Sequence, residues 1–400
     1  MSIRKCYIVN AKRTAIGSFM GSLANVHPSL LGATVVKEVI KDINPATIDE
    51  VIIGNVLSAG LGQGIGRQVA VHGGIPHSVP AYAVNYVCCS GMKAVMLAVA
   101  NIRAGMADLI LAGGVESMSS APFILPGRIR GGNKLGDLTA SDHMLQDALT
   151  DAFEGCHMGI TAENIVEKYE ITREAQDEFA FNSQQKAIAA VEAGYFKNEI
   201  VPINVKVGRN EVVFDVDEYP NRTTTLEKMA GLRAAFKKDG TVTAGNSSGI
   251  NDGASMTLIA SEEAVKKYNL TPLAEIISVG QTGLDPSIMG LGPVGASKNA
   301  LDSAGLKLSD MDLLEFNEAF AAQALGVIRG LSDEHGISQQ DISAKMNVNG
   351  GAIALGHPLG ACGNRIIVTL LHSLIRNDLN YGMASLCAGG GMGCAIIIKK

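Results

Sequence analysis

Residues 48–55 read IDEVIIGN, and a segment of the same pattern returns near the other end of the chain as DMDLLEFN at 310–317. In both segments, acidic residues precede an apolar run of strand length that stops at an asparagine. Short apolar runs bounded by turn residues are typical of strands that are buried on both faces. The two segments therefore predict one buried strand in each half of the chain.

The sequence around these two strands is repeated in the same order. A glycine-bearing loop and a helix follow each strand, and a second apolar strand that ends in glycines comes after the helix. Such repetition predicts two copies of one strand-loop-helix-strand unit, and a site between the copies would take residues from both. The matched segments are CCSGMKAV (88–95) with GHPLGACG (356–363) and LILAGG (109–114) with SLCAGG (385–390), which places Asn55 opposite Asn317 and Leu111 opposite Cys387.

The predicted fold class is α/β, with duplicated halves stacked in a layered core and an inserted loop domain. Forty-six glycines mixed with Val- and Ile-rich runs favour strands that end in tight turns before helices. Buried helices are predicted at 93–105 and 363–376, and ASLCAGGGMGCAIII (384–398) is predicted as strand. The expected units are 1–118 with 250–270 for the first half, 119–249 for the polar insertion and 271–400 for the second half.

Charge and composition exclude several classes of function. The net charge of −6 leaves no basic excess for nucleic acid as a bulk partner. No apolar run approaches the roughly 18 residues of a membrane span, and the first residues lack a signal-peptide core. We therefore expect a cytoplasmic protein without a membrane partner. No metal-ligand cluster, Walker loop or dinucleotide fingerprint is found, so neither a metal nor a cofactor is predicted.

The seven cysteines are odd in number, scattered and without a CxxC pair, which predicts free thiols. Cys88 follows the apolar run YAVNYV and precedes a helix, where backbone N–H groups and the helix dipole would favour a thiolate nucleophile. A buried structural cysteine is the competing interpretation. Adjacent Cys89 is a second thiol in the same turn.

Three further residues could do chemistry with Cys88. His357 lies in the glycine-rich loop NGGAIALGHPLGACG, opposite Cys88 in the duplicated arrangement, and is a candidate base. Cys387 ends a strand at the glycine turn CAGGGMG, whose backbone N–H groups could bind an oxyanion. Asn317 also stands at a strand end. The alternatives are a structural histidine, a core cysteine and a helix N-cap, respectively.

Together these motifs resemble the thiolase family, and within it the short-chain acetoacetyl-CoA thiolases. The likeness extends over the whole chain, from IVNAKRTAIGSFMGSL through AGGVESMS, HMGITAEN, AGNSSGINDGA and NEAFAAQA to GGAIALGHPLGACG and CAGGGMG. One departure is plain, because the family commonly has glycine or alanine where this chain has Cys89. The resemblance implies a thiolase-like fold and the reversible condensation of two acetyl-CoA to acetoacetyl-CoA and CoA, without a further cofactor.

The resemblance also implies roles for the four chemical residues. Cys88 would carry the acetyl group as a thioester after activation by His357, and Cys387 would remove or return a proton of the second acetyl-CoA. Asn317, through a water, and His357 would hold the thioester oxygen of that second molecule. The backbone N–H groups of Cys88 and Gly389 would form the other oxyanion hole.

The resemblance implies substrate contacts and an assembly as well. The segment from Pro122 to Asp147, with its GRIRGG turn, resembles the tetramerisation loop of the short-chain enzymes, so a homotetramer built as a dimer of dimers is expected. Arg222 would meet the nucleotide end of CoA. The other expected contacts with the acyl and pantetheine parts are Leu149, His157, Met158, Phe236, Ser248, Met289 and Phe320.

Three alternatives remain on the sequence alone. A 3-ketoacyl-CoA thiolase of broader chain length would share the motifs. A ketoacyl synthase would share the fold but usually pairs its cysteine with two histidines, whereas Asn317 and Cys387 occupy those places here. A non-catalytic CoA-binding protein would be expected to lack a reacting group, and all four are present.

Overall fold

The computed structural model describes residues 3–400, which form a mixed β-sheet covered by helices. The strands are β1 (Cys6–Thr14), β2 (Gly17–Ser18), β3 (Glu50–Gly54), β4 (Ala81–Val84), β5 (Leu109–Ser117), β6 (Phe123–Ile124), β7 (Ser141–Asp142), β8 (Ile200–Val201), β9 (Ile203–Val207), β10 (Asn210–Phe214), β11 (Asn251–Ser261), β12 (Ala274–Gly283), β13 (Leu313–Phe316), β14 (Tyr381–Ala388) and β15 (Met392–Lys399).

The helices lie mostly between successive strands, as expected for an α/β protein. They are α1 (Pro28–Val39), α2 (Ile65–His72), α3 (Ser90–Arg103), α4 (Met158–Tyr169), α5 (Arg173–Glu192), α6 (Leu226–Ala230), α7 (Glu262–Lys267), α8 (Gly292–Ala304), α9 (Ala321–His335), α10 (Gln339–Lys345), α11 (Ala352–Leu355) and α12 (Leu359–Arg376). Within residues 3–400, no helix combines the length and apolar character that a membrane crossing requires.

The main sheet consists of two halves that meet at one short seam. The first half has the strand order β4-β3-β5-β11-β1, and the second has β12-β15-β14-β13. At the seam β1 and β12 are antiparallel, with Tyr7 opposite Glu275 and Ile8 opposite Ala274. In each half a parallel pair, β3 with β5 or β13 with β14, continues into antiparallel neighbours. The predicted pair of α/β halves is thus confirmed.

The two halves stack into layers around a central pair of helices. Helices α3 and α12 share one apolar core with strands of both halves, including Ile110 and Ile396. The opposite face of the first half packs on α1 and α2, and the opposite face of the second half packs on α8 and α9. Alternate residues of one strand face different layers. Ile110 packs in the central core, whereas Leu111 packs in the core beneath α1 and α2. The chemical residues lie near the start of the central helices.

The central helices approach closely because glycines lie where they cross. A Cβ atom on Gly91 would lie 2.7 Å from the carbonyl oxygen of Gly360, and one on Gly363 would lie 2.6 Å from the backbone nitrogen of Met92. Such distances are shorter than van der Waals contact, so larger residues would push the helices apart. Gly91 thereby brings the turn containing Cys88 next to the loop that precedes α12.

The duplication is real, but the predicted residue matching is wrong. Asp49 accepts hydrogen bonds from the N–H groups of residues 108 and 109, and Asp312 accepts them in the same way from residues 380 and 381. These equivalent aspartates place Asn317 opposite Gly54 rather than Asn55, and Cys387 opposite Val115 rather than Leu111. Matching the glycines gives the wrong correspondence between the two halves, because the strand register is fixed by these side-chain contacts and not by the glycines.

Residues 119–249 form a long connection between two strands that are direct neighbours in the sheet. Strand β5 ends at Ser117, and Asp252 of β11 pairs with that residue. The connection contains α4, α5 and α6 and two small hairpins. It brings α4 over the end of β14, where Met158 packs in one apolar cluster with Cys387. The predicted strand at 384–398 is in fact two strands, β14 and β15, joined by a glycine turn.

Candidate active site

Cys88 lies in a tight turn between β4 and α3. The preceding residue, Val87, has φ of 47°, a left-handed conformation that strongly disfavours β-branched side chains. The Ser90 hydroxyl fixes the turn, because it accepts a 2.8 Å hydrogen bond from the N–H of Tyr86 and donates one of 2.6 Å to the carbonyl oxygen of Val87. The turn that presents Cys88 is therefore strained and held by its own hydrogen bonds.

Cys88 is half-buried, and its surroundings favour the thiol over the thiolate that the sequence pattern favours. Desolvation raises the pKa of Cys88 to about 12, and the nearby thiol of Cys362 also raises it. The N–H groups of Gly389 and of Cys88 itself lower it, but by less. Helix α3 begins only at Ser90, so loss of water outweighs the helix dipole at Cys88. The seven cysteines are free thiols, as predicted.

Cys387 lies at the end of β14, beside Cys88. Burial raises the pKa of the Cys387 thiol above its ordinary value, and the second cause is the charge that Cys88 would carry. The adjoining turn contains Gly390 and Gly391, both with positive φ. A Cβ atom on Gly389 would lie 3.3 Å from Sδ of Met158 and 3.6 Å from a methyl group of Val87. The glycine turn thus lies directly against the turn of Cys88, and the two halves meet there.

His357 lies in the loop between α11 and α12, and its backbone is fixed by a residue of the first half. Its N–H donates a 2.9 Å hydrogen bond to Oδ1 of Asn251, which in turn donates to the carbonyl oxygen of Gly17 at 3.0 Å. Gly356, with φ of 101°, makes room for the Asn251 side chain. Burial, and secondarily the charge of Arg365, lowers the pKa of His357 to about 3. The imidazole is therefore neutral, with a lone pair on one of its two ring nitrogens.

Asn317 follows β13 and is fully buried. It is not the N-cap of the next helix, because α9 begins at Ala321 with Phe320 as its N-cap. Instead the Nδ2 atom of Asn317 lies 3.4 Å from Nε2 of His357. The structure therefore brings Asn317 and His357 together, and it rejects the N-cap interpretation.

A cavity of about 450 Å³ opens beside these residues, with His357 in its wall. Cys88 packs against the cluster of Met118 and Leu359, which also line the cavity. Cys387 belongs to the apolar cluster of Met158 and Phe320 on the other side. Six of the eight predicted substrate contacts line the cavity, namely Leu149, His157, Met158, Phe236, Ser248 and Phe320.

The wall from the connecting segment is aromatic and closely packed. The rings of His157 and Phe236 are stacked with centroids 4.6 Å apart, and Phe236 meets Phe320 edge to face at 6.0 Å. A Cβ atom on Gly159 would lie 2.2 Å from the Phe236 ring, so glycine is needed there. This wall offers an apolar slot with few polar groups, which suits a flexible organic chain.

Two predicted contacts are not in the cavity wall. Met289 is buried in the cluster of Met158 and Phe320 and packs behind the lining residues. Arg222 is exposed and forms an ion pair with Glu192, away from the cavity lining. The nearest residues of the same connection that do line it include Tyr219 and Ala235.

Glu116 and Cys362 are neighbours of the site that the sequence did not single out. Glu116 is fully buried in β5 and accepts a 2.9 Å hydrogen bond from the N–H of Gly360, in the first turn of α12. Cys362 contacts Asn317. A lone carboxylate inside the apolar run LILAGGVES was the available sequence signal for Glu116. Nothing apart from its place in the motif GGAIALGHPLGACG marked Cys362.

The comparisons with known proteins agree over the full chain. Residues 6–263 match the family model described as thiolase, N-terminal domain, and residues 270–400 match thiolase, C-terminal domain. An acetyl-CoA acetyltransferase of Escherichia coli strain K12 is 52% identical over 400 residues, which are 100% of both chains. A solved acetyl-CoA acetyltransferase from Syntrophomonas wolfei has a TM-score of 0.96 at 42% identity, with 100% of each chain covered.

A second solved relative differs in its described substrate. Human mitochondrial 3-ketoacyl-CoA thiolase has a TM-score of 0.94 at 44% identity, and the match covers 100% of this chain and 99% of that one. The similarity in sequence and in structure thus extends over both halves of the chain. The chain belongs to the thiolase family of acyltransferases.

Proposed function

We propose that the protein is an acetyl-CoA acetyltransferase, which condenses two acetyl-CoA molecules to acetoacetyl-CoA and CoA and also catalyses the reverse thiolysis. The observation that carries this proposal is the meeting of two thiols from different halves, Cys88 and Cys387, against an apolar cavity that is also lined by the neutral imidazole of His357. Relatives that are about half identical over the whole chain have this name.

The first step transfers an acetyl group to Cys88. The sulfur attacks the thioester carbonyl carbon while His357 accepts the thiol proton, and the departing CoA thiolate receives a proton from Cys387, which becomes the thiolate. Because the pKa of Cys88 is raised to about 12, sulfur attack and proton loss must be coupled and do not start from a resting thiolate. The N–H groups of Cys88 and Gly389 would stabilise the oxyanion of the tetrahedral intermediate.

The second step forms the carbon–carbon bond. Cys387, as a thiolate, takes a proton from the methyl group of the second acetyl-CoA, and the resulting carbon nucleophile attacks acetyl-Cys88. The Cys88 thiolate leaves and receives the proton held by His357, while Cys387 keeps the methyl proton, which restores all three groups. Burial that raises the pKa of Cys387 makes its thiolate a strong base, as removal of a methyl proton demands. His357 and Asn317, the latter through a water, would hold the enolate oxygen.

The cavity supports a thioester arm as the ligand. Its volume of about 450 Å³ is in the range of small-molecule sites, and Met158, Phe236 and Phe320 provide apolar walls. We propose that Met289 limits the acyl end from behind Met158. The exposed guanidinium of Arg222 stays our proposal for the nucleotide end of CoA, which would have to displace its ion pair with Glu192.

A 3-ketoacyl-CoA thiolase of broader chain length is the second candidate, because the human enzyme of that name has the same fold at 44% identity. Thiolysis of 3-ketoacyl-CoA substrates from four to ten carbons by the purified protein decides between them. We expect acetoacetyl-CoA to give the highest kcat/KM, with a fall at each longer chain. Equal rates across the series would favour the broader enzyme. If the protein shows neither turnover nor acetylation by acetyl-CoA, only the non-catalytic CoA-binding protein remains.

We also propose that the protein assembles as a homotetramer through residues 122–147. This segment has large apolar side chains on the surface, and Leu135 is 95% exposed. Exposed apolar residues that cluster in one projecting segment are typical of protein–protein contacts. The other exposed apolar residues of the segment are Phe123, Leu125, Leu138 and Leu145.

A further inference from the structure

A chain of buried polar contacts ends at the two side chains that would hold the second thioester. Arg365, which is almost fully buried, lies with Nη1 3.1 Å from Oε1 of Glu315. Its Nη2 lies 3.9 Å from Sγ of Cys362, and that sulfur lies 3.1 Å from Oδ1 of Asn317. Asn317 in turn faces His357. Asn317 and His357 take part in the proposed reaction. Arg365, Glu315 and Cys362 have no role in it so far.

The hydrogen-bonding capacities of these groups fix the direction of each contact. A guanidinium can only donate, so the sulfur of Cys362 must present a lone pair to Arg365. Burial raises the pKa of the Cys362 thiol, so its single proton is retained and is available for Asn317. The amide group facing that proton must then be the carbonyl oxygen, because an amide NH₂ is a donor.

The orientation of the Asn317 amide has a consequence for the imidazole. With Oδ1 turned to Cys362, the amide NH₂ is turned to Nε2 of His357. A donor opposite Nε2 requires a lone pair on that nitrogen, so the neutral ring carries its proton on Nδ1, a buried atom that has no hydrogen-bond partner within residues 3–400. If the amide were flipped, its oxygen would face the ring and favour a proton on Nε2. The lone pair of the ring would then lie on Nδ1.

We propose that Cys362 is a positioning residue: its thiol proton fixes the Asn317 amide, so that the neutral His357 ring carries its lone pair on Nε2 and not on Nδ1. This inference rests on the proposed thiolase function, because it concerns the groups that hold and activate the acyl thioesters. Arg365 and Glu315 act behind it, since the guanidinium occupies the sulfur lone pair and thereby directs the proton to Asn317. What the role needs is a small donor at position 362, and a hydroxyl can replace the thiol.

The test compares three variants that separate hydrogen bonding from packing. Cys362→Ala lacks the donor and leaves a space, Cys362→Val lacks the donor but fills the space, and Cys362→Ser keeps a donor. Loss of one buried hydrogen bond in the reacting state corresponds to roughly a tenfold change in rate. We expect kcat for condensation to fall roughly tenfold or more in both the Ala and Val variants, with KM within about twofold of the starting protein.

We expect Cys362→Ser to restore kcat to within about threefold, which a packing defect alone would not predict. Cys6→Ala is the matched control, because Cys6 is a fully buried cysteine that contacts the carbonyl oxygen of Val99 rather than the site. It should lose stability without a change in kcat. Normal kcat in Cys362→Val, or a Ser variant as impaired as Ala, would overturn the proposal. If the unsubstituted protein itself does not turn over, the proposed function has failed instead.

Discussion

The carboxylate of Glu116, in the first half, accepts a 2.9 Å hydrogen bond from the backbone N–H of Gly360, three residues after His357 in the second half. The same Oε2 atom accepts from the N–H of Val56 at 3.1 Å. Its other oxygen accepts from Asn55 Nδ2 at 2.9 Å and from the N–H of Leu57 at 3.2 Å. One buried side chain therefore joins the loop after β3 to the start of α12, directly after the loop that contains His357.

Glu116→Gln should weaken both the fold and catalysis. A glutamine has one acceptor oxygen, so its NH₂ group must face N–H donors that now have no acceptor. Leaving such groups unsatisfied costs about 1–3 kcal/mol each, and the loop of His357 is no longer tied in place. We expect a lower denaturation midpoint and reduced kcat. Glu263→Gln, at an exposed carboxylate, is the control and should change little; equal midpoints for the two variants would contradict this role.

Cys88→Ala and Cys387→Ala should fail at different steps. Without Cys88 no acetyl-enzyme can form, so both condensation and thiolysis are abolished. Cys387→Ala should still become acetylated by acetyl-CoA, while carbon–carbon bond formation falls by ~10²–10⁴ or more because the proton-transfer group is absent. Mass spectrometry of the intact protein measures the first step, and release of acetoacetyl-CoA measures the second. Normal condensation by Cys387→Ala would refute its assignment.

Cys89 should be chemically silent even though it adjoins Cys88. It is fully buried, its sulfur lies 3.5 Å from the carbonyl oxygen of Leu386, and burial, with the nearby Cys394 thiol, raises its pKa well above the ordinary value. Cys89→Ala should retain most activity, since alanine removes only a small buried group.

Limiting iodoacetamide followed by peptide mapping checks this assignment. The label should appear on Cys88 and be prevented by acetyl-CoA. A label or an acetyl group found on Cys89 would reverse the roles of the two thiols and displace His357 from the reaction.

The stability of the protein should decrease in acid partly through His357. Burial lowers the pKa of His357 from 6.5 to about 3, so between these values the unfolded chain binds a proton that the folded protein does not. Folding stability therefore falls as pH falls through this window, by about 1.4 kcal/mol per pH unit from this group. Denaturant titrations between pH 4 and pH 8 should show a shallower slope in His357→Gln, whereas an unchanged slope would exclude a depressed pKa.

The assembly prediction can be tested on the segment 122–147. Light scattering should give four times the mass of one chain for the unsubstituted protein. Leu135→Asp should reduce that mass, because a buried unpaired charge in a contact is unfavourable. Met106→Asp is the matched control, since Met106 is similarly exposed but lies outside the segment. A monomer at working concentration, without any substitution, would refute the proposed tetramer.

The sequence by itself determined the architecture and singled out the candidate chemical residues. Runs such as VIIG and LILAGG have the length and apolar character of buried strands whatever surrounds them, and the internal repetition predicted two α/β halves. Four long motifs indicated the family and selected Cys88, Asn317, His357 and Cys387. These features are local properties of the chain, which is why they could be found before the fold was known.

The tertiary structure alone decided how those residues are tuned. Desolvation between the two halves, and not the helix start, sets the protonation of Cys88, and the register of the duplication depends on contacts of Asp49 and Asp312 with distant backbone groups. Glu116 gains its importance only where β5 meets α12 of the opposite half, and Cys362 only where α12 meets Asn317 after β13. Burial and hydrogen-bond direction arise from packing between segments far apart in sequence, so no local pattern could have predicted them.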